Sequence, residues 1–327
     1  GPSSVILKIP SKVAKNRSLG EGLAVYEREI RVYSEMSDCL GIPMPEFIYG
    51  ECDPNPAPWL ETFFTFLFRK LPVPAVSRVL DLLLLIGGKS SRRYLLMMED
   101  IDDARPPTQV AGGSIQDTIV GLDLLARFHA HNWNETERRD SQPIIWSVGH
   151  VPKVVQASYR RNRDAFVERF GALIGETMVA KMDEVQERLP ELCSQLERDP
   201  WTLCHGDYRL DNLMFRSDGR TTVLDWQGLA WGRPGWEVAY FITTALEPEH
   251  RDEEQMMLAR YHETLVAAGV DNYSYEDLLE DVTISKAILA HRMVAGDDLL
   301  DTELENTESD FIEVLVKRVV GWVDLDV

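Results

Sequence analysis

The stretch Leu203-Cys204-His205-Gly206-Asp207-Tyr208-Arg209-Leu210-Asp211-Asn212-Leu213-Met214-Phe215, followed by Val223-Leu224-Asp225-Trp226-Gln227, holds two carboxylates and an amide at spacings suited to phosphoryl transfer. That reaction fixes the transferring group between a nucleophile and a leaving group while cations neutralise its charge. One carboxylate must accept the proton of the attacking hydroxyl. An amide oxygen and a second carboxylate suit Mg²⁺, which prefers hard oxygen ligands and keeps several waters. Asp207 is therefore the candidate base, and Asn212 and Asp225 are the candidate metal ligands. The bland alternative makes Asp207 a turn residue and Asp225 a helix cap. A His-x-Asp alone would not exclude that; the Asn at a fixed offset and the apolar-apolar-Asp beyond a hairpin weigh against it.

These side chains meet only if the chain between them folds back. Leu213–Arg216 and Thr222–Leu224 read as short strands joined by Ser217-Asp218-Gly219-Arg220, and Asp-Gly is a strong hairpin signal. The hairpin sets Asn212 beside Asp225 across thirteen residues of sequence. Around it, the chain after residue 114 reads as mainly helical. Ile115–Trp133 carries Ile119, Leu122, Leu125, Ala126 and His129 on one stripe, and Val151–Phe170 and Glu176–Leu189 are further helices. Before it come a strand at Val5–Ile9, a polar loop at Ser11–Gly22, and a helix over roughly 21–40 with Leu23, Tyr26, Ile30, Tyr33 and Leu40 at helical spacing. Phe47–Tyr49 and Tyr94–Met98 read as strands. Residues 59–90 form an apolar insert read as one or two short helices, with packing, dimerisation or a membrane surface as its possible roles. Pro- and Gly-rich Arg105–Gly113 is the expected lobe boundary, dividing residues 1–104 from 105–327.

Composition narrows the class. A chain of 327 residues buries a full core without disulfides, and its net charge of −20 repels phosphate backbones, so no nucleic-acid partner is expected. Cys39, Cys52, Cys193 and Cys204 lack CxxC spacing, which suits a reducing cytoplasm rather than a zinc or thioredoxin-type site. The apolar runs Phe63–Phe68 and Val79–Ile86 are too short to span a bilayer.

His205–Asn212 and Leu224-Asp225-Trp226 resemble the catalytic loop and metal-binding motif of the aminoglycoside phosphotransferase superfamily, which includes choline kinases and ecdysteroid-kinase-like enzymes. The resemblance implies an α+β, bilobal, protein-kinase-like fold, with a small N-terminal antiparallel sheet plus helix and a larger, mainly helical C-terminal lobe. It also implies ATP as donor, Mg²⁺, and a small-molecule hydroxyl as acceptor. Val5-Ile6-Leu7-Lys8 resembles the strand whose lysine binds the α- and β-phosphates, and Glu29 the helix glutamate that pairs with it. Helix geometry supports Glu29 over Glu27: at ~100° per residue, Glu29 lies about 50° from the apolar stripe and Glu27 about 110°. Leu96-Met97-Met98-Glu99-Asp100-Ile101 resembles the hinge, which makes Met98, Glu99 and Ile101 candidates for the adenine site. His129 and His205 are expected to be structural, and Arg209 either adds positive charge near the transferred group or forms a structural ion pair.

Two features depart from the family. The strands and loop that cover the ATP phosphates do not precede Lys8 in this sequence, and a longer parent polypeptide is the favoured explanation. Glu237 stands where relatives often carry Asp to brace the catalytic loop. The acceptor stays open between two classes. Acidic residues at Glu247–Glu254, Glu276–Asp281 and Asp297-Asp298 suggest a rim for an aminoglycoside- or choline-like cation, while Trp146, Trp231 and Trp236 suggest an apolar pocket for a steroid- or lipid-like alcohol. The competing function is a catalytically silent pseudokinase or nucleotide-sensing module, which would need none of Lys8, Asp207, Asn212 and Asp225.

Overall fold

The computed structural model describes residues 4–13, 16–17, 20–21, 24–55, 59–87, 91–105, 109–141, 145–300 and 309–324. An antiparallel sheet in the order β1-β3-β2 opens the fold, from β1 (Val5–Lys8), β2 (Phe47–Cys52) and β3 (Tyr94–Glu99). Side chains alternate across a pleated strand, so Tyr94, Leu96 and Met98 all point inward and are buried. Against this face lies α1 (Val25–Arg31), continued by a π-turn over Val32–Met36. The extra residue per turn keeps Val32, Tyr33 and Met36 buried in succession. Part of the expected polar loop is helical instead: residues 16–17 and 20–21 are in helical turns. Charge rather than an apolar stripe anchors them, because Glu21 takes both Arg92 at 3.2 Å and the Tyr94 hydroxyl at 2.6 Å.

The insert forms two helices, α2 (Trp59–Lys70) and α3 (Val73–Gly87), broken at Leu71-Pro72. Its destination is the second lobe, not the sheet. Phe68 and Val76 close a small core with Ala157, joined by Val151 and Val154. The Lys153 ammonium donates to the carbonyls of Arg69 at 2.9 Å and Leu71 at 2.8 Å, which satisfies the unpaired end of α2. Arg161 pairs with Asp81 of α3 at 2.8 Å.

Beyond β4 (Ala104–Arg105), helices dominate. They are α4 (Ile115–His131), α5 (Thr136–Ser141), α6 (Pro152–Ile174), α7 (Glu176–Gln195), α8 (Gly235–Ala245), α9 (Glu254–Ala267), α10 (Tyr275–Leu300) and α11 (Ser309–Gly321). Ser114 caps α4 by accepting the Asp117 N–H at 3.0 Å. The long α10 packs on α6, α7 and α8. Between the helices run β5 (Trp146–Ser147), β6 (Thr202–Cys204), β7 (Leu213–Arg216), β8 (Thr221–Val223) and β9 (Ala230–Gly232), in two small sheets ordered β4-β7-β8 and β5-β9-β6. The expected hairpin is β7–β8, turned at Gly219 with φ 85°. No helix among the described residues is long and apolar enough to cross a membrane.

Candidate active site

The loop that leaves β6 carries His205, Gly206 and Asp207 in a conformation that only glycine fills. Gly206 has φ +86°, and a Cβ there would stand 1.9 Å from the Gly228 carbonyl oxygen. That close approach draws the loop against the segment after Asp225. The Asp207 N–H donates to His205 Nδ1 at 3.2 Å, and His205 Nε2 lies 2.8 Å from the Leu224 carbonyl. His205 is thus a neutral ring with its proton on Nε2, tying the loop to the residue before Asp225. Leu224 N–H in turn donates to the Asn212 carbonyl at 2.8 Å. The hairpin and the histidine together set Asn212 and Asp225 side by side.

Glu237, at the first turn of α8, is fully buried and accepts two loop amides, His205 N–H at 2.9 Å and Gly206 N–H at 2.6 Å. The longer side chain therefore reaches the loop backbone as a shorter Asp would be asked to. His129 lies behind it, with Nε2 3.1 Å from Glu237 and Nδ1 2.6 Å from the Tyr261 hydroxyl. Cys204 also lies close, and the three side chains could in principle hold a cation, but both ring nitrogens of His129 are already engaged.

Three donors hold the Asp207 carboxylate. Tyr240 O–H donates to Oδ1 at 2.6 Å, while Asn212 Nδ2 at 3.1 Å and Arg209 Nε at 3.3 Å donate to Oδ2. Asn212 Nδ2 also donates to the Asp207 carbonyl at 2.8 Å. With its nitrogen committed there, Asn212 has its amide oxygen left to offer, a group that could hold a metal. Arg209 pairs with Asp211 as well, at 3.3 Å, so it forms the structural ion pairs of the loop.

Asp225 adopts left-handed backbone angles, φ 62° and ψ 65°. Lys8 reaches it from β1, with Nζ 3.1 Å from Asp225 Oδ1 and 2.5 Å from Glu29 Oε1. Burial pushes the Glu29 carboxyl up to about 7, with Lys8 pulling it down and Asp225 pushing it further up. Burial opposes the charge of Lys8, but Glu29 and Asp225 more than offset this and leave its pKa raised. Lys8, Glu29 and Asp225 form one bonded set, Asp207 and Asn212 another, and the Asn212–Leu224 backbone bond joins them.

The three hinge candidates stand apart. Met98 lies in the central strand, paired with Ile6 on one side and Phe47 on the other, and its side chain is buried. Glu99 spends its N–H on the Glu46 carbonyl at 2.9 Å and its carboxylate on Glu46 N–H and Arg216. Ile101 follows the strand with its side chain buried. Among the described residues, none of the three bonds to the other five site candidates.

Five acids of the rim expected for a cationic acceptor are held in ion pairs, while the side chains of Asp297 and Asp298 lie outside the described residues. Glu247 pairs with Arg318 at 2.5 Å, Glu254 with Lys286 at 2.5 Å, Glu280 with Arg198 at 2.7 Å, and Asp277 and Asp281 with Arg233 at 3.0 and 2.8 Å. Trp231 is buried in the core. Trp146 and Trp236 each lie under an arginine, Arg28 and Arg292, at 4.5 Å. Trp146 also stacks on His150, whose pKa burial lowers to about 4 with help from Arg69 and Arg28. Tyr240 is the residue that sequence reasoning passed over. Its one signal was its place three residues after Glu237, on the same face of a helix.

A profile described as the ecdysteroid kinase-like family matches residues 87–271, over half of the 327-residue chain. The chain belongs to the ecdysteroid kinase-like family. No curated protein matches this ecdysteroid kinase-like chain. Among solved structures it is similar to a macrolide 2'-phosphotransferase from Brachybacterium faecium, with TM-score 0.50 and 12% identity over 95% of this chain and 84% of that one. It is also similar to an aminoglycoside phosphotransferase from Streptomyces rimosus, solved with ADP and streptomycin, with TM-score 0.48 and 14% identity over 87% and 86% of the two chains. A choline kinase from Streptococcus pneumoniae follows at TM-score 0.41 and 14% identity, over 69% of each chain. At such identities the likeness concerns the fold, and it agrees with the bilobal α+β architecture expected from the motifs.

Proposed function

We propose that this ecdysteroid kinase-like protein transfers the γ-phosphate of ATP to a hydroxyl of a small molecule, with Asp207 as the catalytic base. The observation that carries the proposal is the convergence of Lys8, Glu29, Asp207, Asn212 and Asp225, drawn from four separate segments, through hydrogen bonds of 2.5 to 3.1 Å and one backbone bond. A scaffold without chemistry has no need of a lysine held between two carboxylates beside an aspartate with three donors. Lys8, steadied by Glu29, binds the α- and β-phosphates. The Asn212 amide oxygen and the Asp225 carboxylate are hard donors that fit Mg²⁺ and would hold it, where it would neutralise charge on the phosphate oxygens. Asp207 orients the acceptor hydroxyl and takes its proton late, so positioning rather than strong basicity carries the rate.

For the acceptor, the pairing of Glu247, Glu254, Asp277, Glu280 and Asp281 argues against a cation and for a neutral alcohol. The aromatic rings of Trp146 and Trp236 lie under guanidinium groups, which would repel an aminoglycoside or choline. The family description, with its mention of ecdysteroid, points the same way.

The test is a screen of steroid-like, lipid-like and aminoglycoside alcohols by coupled ADP release. Turnover is expected on a neutral alcohol, with a loss of at least about 100-fold in Asp207→Asn while nucleotide still binds. Binding of Mg·ATP with no turnover on any acceptor would favour the silent pseudokinase, and an Asp207→Asn variant of wild-type rate would remove Asp207 from the mechanism.

A further inference from the structure

We infer that Tyr240 is a positioning residue for Asp207, and that one face of α8 fixes both the backbone and the carboxylate of the catalytic loop. The inference rests on the reading of Asp207 as base. Tyr240 O–H donates to Asp207 Oδ1 at 2.6 Å, within the range of charge-assisted O–H···O⁻ bonds. Glu237 stands three residues earlier on the same helix and accepts the amides of His205 and Gly206 at 2.9 and 2.6 Å. Residues three apart share a helix face, so both contacts move as one body. The rest of α8 is locked in place: Val238, Ala239, Phe241 and Ile242 are fully buried, and Gly235 abuts Asp281 of α10.

The two oxygens of Asp207 are thereby assigned. Among the described residues, Asn212 and Arg209 hold Oδ2, and Tyr240 alone holds Oδ1. Without the tyrosine hydroxyl, the carboxylate would be steadied on one oxygen only and could rotate about its bond to Cβ. The charged groups around Tyr240 are Asp207 and Arg209 on the loop, Glu237 on its own helix and Arg292 on α10. Burial and the negative charge of Asp207 raise the tyrosine pKa far above its ordinary value, so it remains a donor at every working pH.

The test uses ADP release from Mg·ATP, with water as acceptor or with any alcohol that the screen supplies. Tyr240→Phe is expected to lower kcat about 10- to 100-fold, the scale of a misplaced reacting group, with KM for ATP changed less than about twofold. Tyr159→Phe is the structural control, because its hydroxyl also donates to a carboxylate, Asp183 of α7 at 2.8 Å, and among the described residues neither bonds to α8 or the loop. It should lower the unfolding midpoint at least as much and leave kcat alone. In the Asp207→Asn background, adding Tyr240→Phe should cost nothing more in kcat, because the tyrosine acts through that carboxylate. A wild-type kcat in Tyr240→Phe, an equal kcat loss in Tyr159→Phe, or full additivity with Asp207→Asn each overturns the inference. Should Tyr240→Phe unfold, Tyr240→His, which keeps a ring N–H, is expected to keep part of the rate with its loss in kcat, and a folded Tyr240→His whose loss lies in KM for ATP alone would overturn it too. Equal rates in wild type and Asp207→Asn would instead overturn the base assignment and this inference with it.

Discussion

Asp225 sits in a backbone region that costs a non-glycine residue on the order of 1 kcal/mol or more, which asparagine and aspartate tolerate better than others. The strain aims its carboxylate between Lys8 and the hairpin, where Oδ1 meets Lys8 and, among the described residues, Oδ2 receives a long 3.4 Å contact from Gln227. This separates shape from charge. Asp225→Asn keeps a side chain that accepts the left-handed conformation but removes the charge a divalent cation needs. Its unfolding free energy should stay within about 1 kcal/mol of wild type, while Mg²⁺-dependent ADP release falls at least about 100-fold. Asp225→Ala loses the same activity and an additional ~1 kcal/mol of stability, because alanine pays fully for the left-handed backbone. Urea titration alongside the release assay decides the matter: equal stability in the two variants would show that the backbone strain is not what holds the residue.

The loop and α8 act as a single element, and two glycines show where its tolerance ends. Gly206 and Gly219 share a left-handed φ, +86° and +85°, but a Cβ at Gly206 strikes the Gly228 carbonyl while one at Gly219 meets nothing within 4 Å. Gly219→Ala should cost only the conformational penalty, about 1 kcal/mol, with ADP release intact. Gly206→Ala must push the two backbones apart, cost clearly more, and abolish release together with the His205–Leu224 bond. If both variants keep activity, the close approach of the two segments does not matter. The offsets within this element were legible beforehand because Asp-Gly at the turn and the Asp-to-Asn spacing are local signals. The π-turn at Val32–Met36 was not, since a helical periodicity does not announce one extra residue in a turn. Nor was the docking of α2–α3 on α6: an apolar stripe says that a face is covered, not by what. Tyr240 escaped for a similar reason, because a tyrosine among buried neighbours reads as core until Asp207 is seen across from it. For the hinge candidates, pairing on both sides of β3 ties Met98 and Glu99 into the sheet, and their place at an adenine site, with Ile101, rests on the resemblance alone.

On the scale of the molecule, a net charge of −20 left the fate of the individual acids open, and tertiary pairing brings Arg198, Arg233, Lys286 and Arg318 to Glu247, Glu254, Asp277, Glu280 and Asp281. The same helical lobe contains a histidine that ties its stability to pH. His291 on α10 is fully buried, stacks on Tyr159 of α6 with ring centroids 4.3 Å apart, and places Nε2 2.8 Å from Gln186 Oε1 of α7. Its Nδ1 has no hydrogen-bond partner among the described residues, so the ring is held neutral with its proton on Nε2. Burial, and then the positive charge of neighbouring Arg292, push its pKa down from 6.5 to about 3, with Asp183 pulling weakly the other way. Between those two values the unfolded chain binds a proton that the folded ring refuses. The contribution is therefore whole above the unfolded value of 6.5 and is lost as pH falls toward about 3. At pH 5 the loss relative to pH 7 is on the order of 2 kcal/mol, at ~1.4 kcal/mol per pKa unit. His291→Phe keeps the stack on Tyr159 but has nothing to titrate. It will be less stable at both pH values, since Gln186 loses its donor, but that constant cost cancels in the difference, as does the similar titration of His150. Urea unfolding at pH 7 and pH 5 should then show wild type losing about 2 kcal/mol more than His291→Phe on acidification. Equal losses in the two proteins would mean that the ring takes up its proton inside the lobe, and that the contact between α6, α7 and α10 is open to water where the structure has it closed.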